Sequence, residues 1–182
     1  VGTMQKGVTM LEHQTKMQLR RNADMAVRLV AAQCRGEHLN KGAYCRFFML
    51  QSIEAGIAGL VQLEHGWAGG KSNIEKIEKY RVLSYEKAIR LALNAQVHGH
   101  IASYQSMDMD KHQYQGAALV EASVPKVGRT FLISSVSGLP ADADERAGLF
   151  AIDLMSCSTD HGITTVLAVT GNHAAYRELY RS

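Results

Sequence analysis

Ala43-Tyr44-Cys45-Arg46-Phe47-Phe48-Met49-Leu50-Gln51-Ser52-Ile53-Glu54-Ala55-Gly56-Ile57-Ala58-Gly59-Leu60-Val61-Gln62-Leu63-Glu64 decides how the first half of the chain is organised. Its apolar residues, with Phe47, Phe48, Leu50, Ile53, Ile57, Leu60 and Val61 the largest, fall all round a helical wheel. That distribution predicts a second helix over residues 43–64, central in the core. Gly56 and Gly59 would cost such a helix about 1 kcal/mol each and would allow a neighbour to pack closely.

Working outward, residues 10–34 carry Met10, Met17, Met25, Val27, Leu29 and Val30 interleaved with Lys16, Arg20, Arg21 and Arg28. The spacing is nearer helical than alternating and predicts the first helix, with a break over residues 35–42. On the other side, His65-Gly66-Trp67-Ala68-Gly69-Gly70 reads as a loop. His65 and Trp67 are taken as parts of this helix-ending loop, with the lining of a cofactor pocket as the alternative. Ser72 or Asn73 then caps a third helix, with Glu75 in its first turn, that ends near His98-Gly99.

After Gly99 the pattern changes. Residues 101–106, 117–124 and 130–136 are β-compatible, and Pro125-Lys126-Val127-Gly128 reads as a hairpin connection between the last two. Asp142 or Asp144 is placed to cap a helix reaching about residue 160. Residues 163–169 form a β-branched strand and residues 173–182 a short final helix. A strand–helix–strand connection favours parallel, right-handed pairing. The expected fold is therefore α/β (α+β). Three N-terminal helices (1–98) precede a mixed sheet of strand-strand-strand-helix-strand-helix order (99–182), the two packed as one unit.

At 46% hydrophobic and 20% charged residues the chain sits in the ordinary globular range. No apolar run approaches the roughly 18 residues that span a bilayer, and no signal-peptide core is read, so a cytoplasmic protein without a membrane segment is expected. The odd set Cys34, Cys45 and Cys157 lacks metal-like spacing and suits reduced thiols. His98, His100 and His112 come without a carboxylate at fixed spacing, so no metal is expected. Ser134, Ser135 and Ser137 precede Gly138 without a Gly-x-Ser-x-Gly elbow, which argues against a serine hydrolase. Residues 1–50 carry eight Lys/Arg against three Asp/Glu, a balance of +5, whereas residues 101–182 carry six against nine, or −3. The basic front half suits nucleic acid or an acidic protein as partner.

Three stretches of the second half resemble the GCN5-related N-acetyltransferases. Gln115-Gly116-Ala117-Ala118-Leu119-Val120 is similar to that family's third strand, and Gly162-Ile163-Thr164-Thr165-Val166-Leu167-Ala168-Val169 to its fifth. Ala174-Ala175-Tyr176-Arg177-Glu178-Leu179-Tyr180 is similar to the helix that follows. Residues 149–182 also resemble the acyl-homoserine-lactone synthases, which share the fold. The resemblance covers about residues 100–182. It implies an acyltransferase with coenzyme A, an acyl-CoA or an acidic acyl-carrier protein as donor, met by the basic helices. It assigns Tyr180 as the acid that protonates the leaving thiolate. Beside it, Glu121 on the third strand is the natural carboxylate base for the amine. The cofactor would lie against Ser135, Val136 and Ser137 and, at the start of the next helix, Arg146 and Gly148. The residues themselves keep a second reading open: a non-enzymatic regulatory or binding protein, a homo-oligomer, whose α/β half dimerises or senses a ligand.

Overall fold

A computed structural model describes residues 2–72, 74–124, 128–156 and 165–166. Helix α1 (Gly2–Ala32) is followed by strands β1 (Ala43–Leu50) and β2 (Leu60–Ala68), then helix α2 (Ile74–His98). Strands β3 (Ala117–Val124) and β4 (Gly128–Ser137), helix α3 (Ala141–Ser156) and a short β5 (Thr165–Val166) complete the order. The sheet runs β2-β1-β4-β3-β5, every neighbour antiparallel.

The stretch 43–64 is thus not a helix. It is a hairpin whose strands pair from Ala43 opposite Ala68 to Leu50 opposite Leu60, with a bulge between Phe47 and Phe48. The physical reason is that all eight residues of β1 are buried. Cys45, Phe47 and Met49 face α1 and α3, while Phe48 and Leu50 face α2. A strand covered on both sides shows no alternation and reads as a continuous apolar run, the same run an all-round-buried helix would give. The two glycines that looked like a helix packing face instead form the turn: Gly56 stands at φ +55° and opens a 3-10 turn to Gly59.

Three further expectations are corrected. Three N-terminal helices become one helix, a hairpin and a second helix, so the sheet takes strands from both sides of residue 98. Residues 101–106 are not a strand: Ser103–Ser106 is a 3-10 turn, and only Ala102 bridges to Ala118. The mixed, acetyltransferase-like sheet is replaced by an antiparallel one, because β5 pairs against β3 in the opposite direction and no parallel pair occurs among the described residues. The final helix expected at 173–182 lies outside the described residues.

The layers follow from residue size. On one face α1 contributes Leu19, Ala23, Ala26, Val27, Val30 and Ala31, at helical spacing, against Ala147, Leu149, Ile152 and Met155 of α3. On the other face α2 turns Ala88, Leu91, Ala92 and Ala95 to the sheet. Val82, Tyr85, Leu93 and Val97, on its other side, stay exposed. Small residues let this helix approach closely, and two long cations on the same inner face, Lys87 and Arg90, are buried with it.

Candidate ligand-binding site

The turn between β4 and α3 builds the site. Gly138, at φ +139°, passes so close to the start of β1 that a Cβ would lie 3.0 Å from the Ala43 Cα and the Gly42 carbonyl oxygen. Leu139 and Pro140 lead into α3, whose first helical bond runs from the Asp144 amide to the Pro140 carbonyl at 2.8 Å. Asp144 does not cap the helix from outside. One carboxylate oxygen accepts the Leu139 amide at 2.9 Å and the other faces the Lys87 ammonium at 3.2 Å. Lys87 also donates to the Val136 carbonyl at 2.7 Å. Both side chains are buried, and burial pushes the Asp144 carboxyl up to about 6 against the pull of Lys87 and the turn amides.

In front of this pair opens a cavity of about 270 Å³. Tyr80, Leu83 and Lys79 of α2 line one wall, Tyr114 and Gln115 a second, and Ser137, Leu139 and Ala141 a third, with His38 at the rim. Tyr80 and Gly138 are shared with a smaller lobe of about 100 Å³, whose other walls are Lys41, Gly42, Trp67, Lys71 and Lys76. The Trp67 and Tyr80 rings stack with centroids 6.4 Å apart at 28°, and the Trp67 indole N–H donates to the Gly70 carbonyl at 2.8 Å. Lys41 meets Glu37 at 3.6 Å. Lys71, Lys76 and Lys79 have no acidic partner among the described residues. The Ser137 hydroxyl is buried without a hydrogen-bond partner.

Of the residues expected to hold a cofactor, Ser137 alone lines this cleft. Ser135 is buried in the sheet and donates its hydroxyl to the Ser84 carbonyl at 2.6 Å. The Val136 backbone is engaged on both sides, its amide on Gly116 and its carbonyl on Lys87. Arg146 lies 3.6 Å from Asp142, and Gly148 packs on Ser134. Glu121 stands opposite Phe131 in the β3–β4 ladder and pairs with Arg129. Tyr180 lies outside the described residues.

His65 turns away from the cleft to Tyr44, 2.6 Å from its hydroxyl, while its near neighbour Trp67 does line the smaller lobe. The His98 and His100 rings lie 5.5 Å apart, and His112 meets Tyr114 instead.

No known family model, curated protein or solved structure matches the chain. The geometry alone carries the functional argument.

Sequence reasoning missed Tyr80, Lys87, Tyr114 and the lysines of the rim. One signal was present. Lys87 and Arg90 fall on the same helical face as Ser84, Ala88, Leu91 and Ala95, so two cations had to enter the core with partners. Basic character on α1 is partly spent locally, with Arg28 bonded to Asp24 at 2.9 Å and Arg20 near Glu64 at 3.4 Å. No described helix is long and apolar enough to cross a membrane.

Proposed function

We propose that the protein binds a small organic anion in this two-lobed cleft and acts as a ligand-sensing protein, without acyl transfer. The observation that carries the reading is a convergence. Lys71, Lys76 and Lys79, none with an acidic partner among the described residues, border one concave surface floored by Tyr80, Leu83 and Leu139. Concave, largely apolar sites with a few placed polar groups are where small molecules bind. Unpaired ammonium groups at the mouth favour an anion and speed its capture.

Acyl transfer has weaker support. Glu121 lies opposite Phe131, six positions along β4 from Ser137, a separation of roughly 20 Å at strand rise. A base at that distance cannot reach a nucleophile held in the cleft. Coenzyme A nevertheless carries phosphates and a planar base, so it belongs among the test ligands.

The test is thermal melting and calorimetry of the full chain with acetyl-CoA, aromatic carboxylates and aromatic phosphate monoesters. A specific ligand at 100 times its Kd stabilises by about 2.7 kcal/mol. The Lys76→Glu/Lys79→Glu variant should lose that gain. If no anion raises the melting point at millimolar concentration, the reading fails. Release of free thiol from acetyl-CoA in the presence of amines would favour the acyltransferase instead.

A further inference from the structure

The two lobes differ in a way that assigns the ligand's orientation and class. The smaller lobe is bordered by Lys71 and Lys76, neither with an acidic partner among the described residues, and by Lys41, which Glu37 meets at 3.6 Å; no carboxylate lines the lobe. In the larger lobe Lys87 and Asp144 cancel each other, which leaves Lys79 as the single unpaired cation there. Charge is therefore concentrated at one end of the cleft.

Size points the same way. A cavity of roughly 150 Å³ in a protein interior is enough to bind one benzene ring. The smaller lobe, about 100 Å³, suits a compact head group, whereas the larger, about 270 Å³, has more room for a ring system. Tyr80 borders both lobes, and its stacking on Trp67 fixes the ring where the two meet. A flat group in the larger lobe would rest on Tyr80 among Leu83, Tyr114 and Leu139.

We infer that the ligand is a phosphate monoester of a planar aromatic group, its phosphate between Lys41, Lys71 and Lys76 and its ring on Tyr80. A phosphate carries close to two negative charges at pH 7 and so uses several ammonium groups at once. This assignment rests on the proposed binding function and names the ligand class of that same cleft.

Calorimetry of the full chain with 1-naphthyl phosphate, 1-naphthol and inorganic phosphate tests it. The monoester should bind at least 10-fold more tightly than either half. Lys71 and Lys76 are exposed, so the Lys71→Glu/Lys76→Glu variant keeps its fold, which circular dichroism checks. It should weaken the monoester at least 10-fold and leave 1-naphthol unchanged, while Leu83→Gln should weaken both. Equal affinity for inorganic phosphate, or a monoester indifferent to the double charge reversal, overturns the orientation. Binding of aromatic carboxylates but of no phosphate monoester overturns the head-group class and leaves the binding function standing. Absence of binding by every anion overturns both.

Discussion

The Lys87 ammonium and the Asp144 carboxylate, 3.2 Å apart and both sealed from solvent, join α2 to α3 across the end of β4. Removing one partner leaves the other as a buried, uncompensated charge. Lys87→Met should therefore cost about 3–5 kcal/mol in urea unfolding. Lys87→Met combined with Asp144→Leu should recover much of that loss, because the double variant strands no charge. A double variant as unstable as the single one would show that the pair matters for its shape and not for its charge balance.

The same carboxyl predicts a pH dependence. Its folded value of about 6 lies above the ordinary 3.8, so the folded state holds this proton more tightly than the unfolded chain. The stability it contributes is full below about 4 and is lost as the pH rises through about 6. The difference in melting temperature between the natural protein and Asp144→Asn should change across that window and stay flat above it.

Gly116 is where the backbone makes room for the pair. A Cβ there would lie 2.7 Å from the Lys87 ammonium and the Val136 carbonyl oxygen, and 3.0 Å from the Asp144 Cβ, at φ +130°. Gly116→Ala must move the backbone or the ion pair, and it should destabilise by roughly 1–3 kcal/mol. Gly99→Ala is the control. Its φ of +68° is also left-handed, yet no atom lies within 4 Å of the added carbon, so only the backbone cost remains.

Arg90 should govern the order of one cleft wall. Its guanidinium donates to the carbonyls of Ser103 at 2.9 Å and Ser106 at 3.0 Å, and to that of Tyr114, while Glu86 accepts at 2.7 Å. Arg90→Met leaves these carbonyls without their donor. Hydrogen exchange over residues 103–114 should speed up, and ligand affinity should fall with it because Tyr114 lines the larger lobe. Unchanged exchange would mean the segment is held without Arg90, by contacts such as the Ala102–Ala118 bridge and the Ala117 amide on the Ser103 hydroxyl.

Arg46 provides a test away from the cleft. It lies 5.2 Å from the Tyr44 ring centre and 5.3 Å from that of Tyr85, and donates to the Arg81 carbonyl, Ser84 and Gln62. Lysine keeps the charge and loses the planar fork. Arg46→Lys should cost roughly 1–3 kcal/mol in urea unfolding, with ligand binding intact.

How much of this was legible in the sequence depends on burial. Strands β3 and β4 were read nearly to their ends, because Pro125 and Gly128 punctuate two short apolar runs. α3 begins at Ala141, slightly before the cap expected at Asp142 or Asp144, so both lie inside its first turn, where Asp144 bonds the Leu139 amide. β1 was misread because Phe47 and Phe48 are both core residues, on opposite faces. Periodicity carries no information when both faces are apolar. The cleft was visible only through Ser137 and the pocket alternative for Trp67, since its other residues come from α2 and from segments joined only by the fold. Lysines 76 and 79 look like any solvated helix turn until Trp67 and Gly138 are placed beside them.

The central place of β1 has a bearing on how the chain reaches its native state. Its hairpin partner β2 follows at once, but its other edge is closed by β4, with Leu50 opposite Phe131 and Tyr44 opposite Ser137. The intervening segment, including all of α2, must be looped out before that pairing forms, at an entropic cost repaid only on closure. Until then the β1 edge that will receive β4 stays open beside an apolar run with no cover, a template for pairing with other chains. Refolding should therefore be limited by docking of the β3–β4 hairpin, and aggregation during refolding should compete at that step.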